Sequence, residues 1–110
     1  ASVDGLRPPR LETYSYAASK GGLIQLTRRM AKTLVDDQIL VNSIAPGAFA
    51  SDMNIHARDE PEAVSELIPA KRIGEPVHMA GTAVYMCSRA GDYLVGTTVT
   101  VDGGITGCNN

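Results

Sequence analysis

Two cysteines, Cys87 and Cys108, are all the thiols in this chain of 110 residues. That is too few for a disulfide framework. Cys87 falls inside an apolar helical pattern and reads as a small core residue; Cys108, near the tail, reads as incidental. With no signal peptide visible, the thiol count points to a reducing, cytoplasmic setting, although the chain starts at Ala1 and a removed or missing N-terminus stays open. No apolar run reaches the roughly 18 residues that a membrane span needs, so no membrane association is expected. Lys and Arg form no long run and the net charge is -2, which argues against nucleic acid as the main partner. His56 and His78 stand apart without a metal-ligand pattern, so both read as surface residues and no metal is expected. What is present is 44% hydrophobic and 20% charged, an ordinary globular balance, at a length suited to one domain with a modest core.

Along the chain, residues 1 to 11 carry Gly5, Pro8 and Pro9 and read as a loop. From about Glu12 the pattern becomes helical. Leu23, Leu26, Met30 and Leu34 recur at three- and four-residue spacings and define one apolar face. Gly21-Gly22 lies within this helix at a cost of about 2 kcal/mol relative to an Ala pair, which close packing or close approach of a ligand would offset. Asp36-Asp37-Gln38 ends the helix, and "ILVNSI" at 39 to 44 reads as a buried strand. A loop with Pro46-Gly47 follows, in which Ser51 is placed to cap a short helical turn. "RDEPEAVSELIP" predicts another short helix, with Pro61 in its first turn and Pro69 stopping it. A third helix starts at Pro76, with Met79, Ala80, Ala83, Val84 and Cys87 as its buried stripe and Gly91 as its C-terminal cap. "TTVTV" at 97 to 101 is a strand, and Asp102-Gly103-Gly104 turns out of it. Two strands joined by a helix make a βαβ unit with parallel strands. They cannot form a covered parallel sheet alone, and the natural place for neighbouring strands is before Ala1.

The stretch "YSYAASK" at 14 to 20 holds the side chains most suited to chemistry. Tyr16 and Lys20, four apart, share one helix face. A lysine ammonium beside a phenol favours the phenolate and brings the tyrosine down from its usual value near 10. Such a tyrosine is a general acid or base for a carbonyl/alcohol pair. Ser2 could give a second hydroxyl to the same oxygen. The plainer reading is an amphipathic lysine stem beside a ring, a pairing many helices contain. Tyr14 has Ala17 and Ala18 at its helical spacings, so it reads as a packing or substrate-wall residue. Ser19 points elsewhere on the helix. Arg28, Arg29 and Lys32 read as a solvated face that could also help dock an acidic carrier protein.

Three motifs in order narrow the reading: Tyr16-x-x-x-Lys20, then Asn42 with Pro46-Gly47, then Val-Asp-Gly-Gly at 101 to 104. In these the chain resembles the short-chain dehydrogenase/reductase family over essentially its whole length, and most of all the branch that reduces 3-oxoacyl thioesters. The resemblance implies an α/β fold, the C-terminal part of a Rossmann-like doubly wound parallel sheet with a lid-like helical insertion. Residues 1–110 would be the C-terminal catalytic part of a single domain. The implied reaction is reduction of a ketone to a secondary alcohol with NADP or NAD, NADP being favoured. Tyr16 would be the catalytic acid, Lys20 would tune it and bind the nicotinamide ribose, and Ser2 would polarise the carbonyl. The family's usual serine-to-tyrosine spacing is often one residue shorter and falls here on Val3, which has no hydroxyl; Ser2 with a one-residue loop expansion takes the role. Pro46 and Gly47 would start the loop at the nicotinamide end, the backbone of Phe49 would meet the carboxamide, and Ser51 would face carboxamide or phosphate. Residues from about Asp52 to Ala70 would be the mobile cover over the substrate.

The family's glycine-rich turn, which holds the pyrophosphate at a helix N-terminus, has no counterpart here. Gly21-Gly22, Gly103-Gly104 and Gly107 do not form G-x-x-x-G-x-G after a strand. The expectation is therefore that the N-terminal dinucleotide-binding half is absent and that these residues alone are inactive. The resemblance further implies a small carbonyl substrate, an acyl carrier protein as partner, and a homo-oligomer, dimer or tetramer. Asp36-Asp37 stands where some carrier-protein reductases have a basic residue, which weakens the carrier reading. The competing readings are a sugar-alcohol, steroid or other secondary-alcohol dehydrogenase of the same family, and a non-catalytic oligomerisation piece.

Overall fold

A computed structural model describes residues 1–9 and 13–108. A single turn of 3-10 helix at Val3–Gly5 is followed by α1 (Tyr14–Leu34), a second such turn (Val35–Asp37) and β1 (Ser43–Pro46). Then come α2 (Ile55–Asp59), α3 (Pro61–Glu66), α4 (Pro76–Cys87), a third turn (Arg89–Gly91) and β2 (Thr98–Val101). This is the predicted order of helix, strand, helical insertion, helix, strand. β1 and β2 pair in parallel, with Ser43 opposite Thr98 and Pro46 opposite Val101. A parallel pair requires a long crossover, and the insertion with α4 supplies it. The helix start expected near Glu12 lies outside the described residues.

α1 ends as Asp36-Asp37-Gln38 predicts. The chain tightens into the Val35–Asp37 turn, and Gln38 then takes a left-handed conformation with φ 61°, the geometry that terminates helices. The first strand is shorter and later than the apolar run 39 to 44 suggests. Ile39 and Leu40 are exposed, and the ladder begins with the Ser43 N–H donating to the Thr97 carbonyl at 3.0 Å. Asn42 explains the shift. Its carboxamide oxygen accepts from the Thr97 N–H at 3.0 Å and its NH2 donates to the Leu94 carbonyl at 2.8 Å. One side chain thus satisfies backbone groups of the approach to β2 at the level where residues 39–42 would otherwise have paired. Beyond it, the Ser43 and Thr98 hydroxyls share a hydrogen bond of 2.8 Å across the pair.

The helix faces also differ from expectation. In α1 the buried residues are Ile24, Thr27 and Ala31, whereas Leu23, Leu26 and Met30 are exposed and Leu34 is half-buried. The face against the rest of the chain is lined by smaller groups because the backbone comes close. A Cβ on Gly96 would lie 3.3 Å from the Ala31 Cβ. Thr27 survives burial because its hydroxyl donates to the Leu23 carbonyl at 2.8 Å. In α4 none of the predicted stripe is buried: Met79 is half-buried, and Ala80, Ala83, Val84 and Cys87 are exposed. No described layer covers that face. α4 ends at Ser88 rather than at Gly91. Gly91 is needed for another reason, since a Cβ there would lie 2.2 Å from the Met86 carbonyl oxygen.

The insertion holds two short helices. Pro61 opens α3 and cannot donate a backbone hydrogen bond, so α2 stops at Asp59. The cap of α2 is Asn54, which accepts from the Ala57 N–H at 3.1 Å; Ser51 instead accepts from the Asn54 N–H at 3.0 Å. Among the described residues no helix is long and apolar enough to cross a membrane, and no His, Cys, Asp and Glu cluster could hold a metal ion.

After β2 the chain folds back over the end of the insertion. Gly103 and Gly104 have φ of 64° and 97°, and the Gly103 carbonyl accepts from the Ala70 N–H at 2.9 Å. The Asp102 carboxylate accepts from the backbone N–H groups of Gly104 and Thr106 at 2.9 and 2.8 Å. Partial burial opposes its charge, but the hydrogen bonds from Thr106 and Gly104 and the nearby Arg7 charge outweigh it, and the carboxyl lies below its ordinary range. A carboxyl depressed in the folded state contributes stability above its unfolded value near 4, and that contribution is lost as pH falls through the lower folded value. Urea unfolding across the acid range should therefore show wild type and Asp102→Asn converging as pH drops below about 4. A constant gap down to pH about 2 would remove the assignment.

Candidate active site

α1 sets the first two groups. The Tyr16 and Lys20 side chains lie one helical turn apart, and the Lys20 ammonium stands 5.2 Å from the centre of the Tyr16 ring, within the range of a cation–π contact. Both residues are half-buried. Among the described residues the ammonium meets no carboxylate, and the ion pairs of the chain involve other residues. Its neighbours on the same helix stand aside as the sequence suggests. The Ser19 hydroxyl donates to the Tyr16 carbonyl at 2.9 Å. Tyr14 is 79% exposed, so its packing role does not hold in this chain.

Ser2 is brought to α1 from outside the helix. It caps the Val3–Gly5 turn, its side-chain oxygen accepting from the Asp4 N–H at 3.2 Å. That bond uses an acceptor site of the hydroxyl and leaves its proton free to be donated elsewhere. Ser2 and Val3 are both buried, at 7% and 6% exposure, although they lie in a loop segment. The burial comes from packing of this turn on α1 and on β1.

The third group of predicted residues lies where β1 ends. Pro46 is the last residue of the strand, and the Gly47 N–H donates to the Val101 carbonyl at 2.9 Å. The carboxyl end of a strand in an open α/β sheet is where ligands bind. Gly47 is required by the protein itself, because a Cβ there would lie 2.7 Å from the Asp102 Cβ. Phe49 forms a parallel bridge with Gly74, and the Gly74 N–H donates to the Ala48 carbonyl at 2.9 Å. The two ends of the insertion are therefore tied together beneath it. Ser51 is exposed and occupied by its turn hydrogen bond. The insertion carries exposed ion pairs of Arg58 with Asp52 at 3.0 Å and with Asp59 at 2.9 Å, which contribute little to stability.

A cavity of about 190 Å³ lies between Phe49, Ile68, Ala70, Arg72, His78 and Asp102. Neither Ser2 nor Tyr16 nor Lys20 lines it, so it is not assigned to the chemistry of those groups. Two glycines that the sequence marks only as loop or turn residues matter to the geometry. Gly74 carries no Cβ because the Phe49 ring fills the space, 2.3 Å from where that atom would be. Gly5 faces the α1 backbone at similar range. Each is one glycine among eleven, and nothing in the local sequence separates a glycine beneath a ring or a helix from one in an open turn.

A family profile described as "Enoyl-(Acyl carrier protein) reductase" matches residues 6–106. The chain is 42% identical over 106 residues to the rhamnolipids biosynthesis 3-oxoacyl-[acyl-carrier-protein] reductase of Pseudomonas aeruginosa, across 94% of this chain and 41% of that one. It is 42% identical over 94 residues to 3beta-hydroxysteroid dehydrogenase 1 of Eggerthella lenta, across 83% of this chain and 36% of that one. The structure titled Pseudomonas aeruginosa RhlG/NADP active-site complex superposes with a TM-score of 0.89 at 41% identity, covering 96% of this chain and 44% of that one. The chain thus spans about two fifths of the length of the curated relatives it matches. The α/β architecture with its parallel pair is shared with these Rossmann-type enzymes.

The Phe49–Gly74 contact can be tested apart from any activity. Gly74→Ala must displace the ring or the bridge, and overpacking of this kind costs about 1–3 kcal/mol. Denaturant unfolding of Gly74→Ala should show that loss, whereas Gly107→Ala, with nothing within 4 Å of the added atom, should unfold as wild type does.

Proposed function

Because this chain belongs to the short-chain dehydrogenase/reductase family, we propose that the intact protein reduces a ketone to a secondary alcohol with a nicotinamide cofactor, NADP in preference to NAD. The leading substrate class is a 3-oxoacyl thioester. The observation that carries the reading is the Lys20 ammonium over the Tyr16 ring, on a helix against which the turn bearing Ser2 is packed. Residues 1–110 are read as the C-terminal catalytic part of a single domain, with the dinucleotide turn outside them.

The donors suit this chemistry. Among the described residues the Ser2 hydroxyl proton has no acceptor, so it can be donated to a carbonyl oxygen, and such a donor aimed at developing negative charge lowers the barrier. Tyr16, with no hydrogen-bond partner to its phenol among the described residues, is free to deliver a proton to that same oxygen. Lys20 sits beside the ring, and its ammonium donors suit a pair of ribose hydroxyls. When bound, the nicotinamide supplies the hydride that reaches the carbonyl carbon. Hydride on carbon and proton on oxygen together make the alcohol. The loop of Pro46, Gly47, Phe49 and Ser51 is assigned to the nicotinamide end by its place at the end of β1. An acyl carrier protein as bearer of the substrate and a homo-oligomeric state belong to the same reading.

A second reading, dehydrogenation of a steroid or other secondary alcohol, is supported by the likeness to the hydroxysteroid dehydrogenase and by acidic Asp36-Asp37 at the end of α1, where a carrier protein would meet repulsion.

The test uses the intact enzyme. Tyr16→Phe should lower kcat by about 10²–10⁴-fold, the usual scale of general acid catalysis, while NADPH binding followed by fluorescence is retained. A Tyr16→Phe enzyme with more than a tenth of wild-type kcat would refute the assignment. Offering a 3-oxoacyl thioester and a 3-oxosteroid side by side separates the two substrate readings by their kcat/KM.

A further inference from the structure

Gly5 lies on the backbone of α1 at closer range than a side chain allows. A Cβ built on it would stand 2.7 Å from both the carbonyl carbon and the carbonyl oxygen of Lys20, and 2.9 Å from the nitrogen of Gly21. These are backbone atoms inside a helix and cannot rotate aside. The opposite glycine is different: a Cβ on Gly21 would lie 3.8 Å from the Gly5 carbonyl oxygen, an ordinary contact. Of the two glycines that face one another here, the one in the turn is sterically obligatory.

Gly5 and Ser2 belong to one rigid unit. The Gly5 N–H donates to the Ser2 carbonyl at 3.0 Å, the Leu6 N–H to the Val3 carbonyl at 2.9 Å, and the Asp4 N–H to the Ser2 hydroxyl oxygen at 3.2 Å. Burial of Val3 holds the unit down at 6% exposure. Where Gly5 rests on the helix therefore decides where the Ser2 hydroxyl lies relative to Tyr16 and Lys20. A methyl group at Gly5 would force the turn to retreat by about 1 Å to reach ordinary contact. Displacement on that scale costs about 10²-fold in rate when it separates reacting groups.

We infer that Gly5 is a positioning residue for the reduction, its missing side chain letting the Ser2 turn seat directly on the α1 backbone at Lys20. The inference rests on the proposed role of Ser2, and a double-mutant cycle in the intact enzyme separates the two. kcat and the KM for NADPH are measured for wild type, Gly5→Ala, Ser2→Ala and the double variant. Gly5→Ala should lower kcat by about 10²-fold with the NADPH KM within about twofold of wild type, and should add less than about twofold once Ser2 is already alanine. A Gly5→Ala enzyme within about threefold of wild type overturns the inference, and so does an equal loss in both backgrounds, the mark of general destabilisation. If Ser2→Ala itself retains full kcat, the role of Ser2 is what has failed, and the inference falls with it. Should Gly5→Ala not fold, a crystal structure of the intact wild-type protein decides: Gly5 in contact with the Lys20 carbonyl upholds the inference, and a turn standing clear of α1 overturns it.

Discussion

The parallel ladder between Ser43–Pro46 and Thr98–Val101 joins residues 55 apart in the chain, and the arrangement around the site depends on it. Because Pro46 is paired with Val101, Gly47 and Asp102 leave the two strands side by side, close enough to exclude a Cβ on Gly47. From there one strand feeds the loop that carries Phe49 and the other feeds the Asp102 turn that supports Ile68 and Ala70. The insertion is thus held at its start by the Ala48–Gly74 hydrogen bond and at its return by the Gly103–Ala70 hydrogen bond. Between these ties lie exposed ion pairs and the fully buried Ala57.

The chemistry is assembled by a different route. Tyr16 and Lys20 need no tertiary structure to meet, since the helix places residues four apart on one face. The turn that Ser2 caps meets α1 closely because it is bare of a side chain at Gly5, which lies against the Lys20 carbonyl. A local rule sets the spacing of Tyr16 and Lys20, and a contact between two backbone segments sets where the Ser2-capped turn meets the helix. The same contrast separates Asn42 from the strands it serves. Its side chain supplies backbone hydrogen bonds of the approach to β2, and the ladder begins after it.

Legibility followed the range of the interactions. The Tyr16–Lys20 pair, the element order, the parallel strands, the Pro61 and Pro76 helix starts and the stop at Gln38 were readable, because each follows from spacing or from a backbone restriction carried by the residue itself. The core was not. Leu23, Leu26, Met30 and Val84 have the periodicity of buried residues yet lie exposed, while the buried hydrophobic residues among those described are Val3, Ile24, Ala31, Ala45, Ala57, Ile68 and Ile105. Periodicity shows which face of a helix is apolar, but it does not show which neighbour comes close enough to cover it. Where backbones approach closely, as at Ala31 beneath Gly96, small residues occupy the contact.

By itself the sequence determined the elements, their order and the pair of side chains that share a turn of α1, since helix pitch and proline geometry act over a few residues. The tertiary structure alone decided that the Val3–Gly5 turn packs on α1, that Asp102 excludes a side chain at Gly47, and that Gly74 lies beneath Phe49. Those outcomes depend on the separation of backbones distant in the chain. A glycine's letter records the absence of a side chain but not what occupies the space left by it.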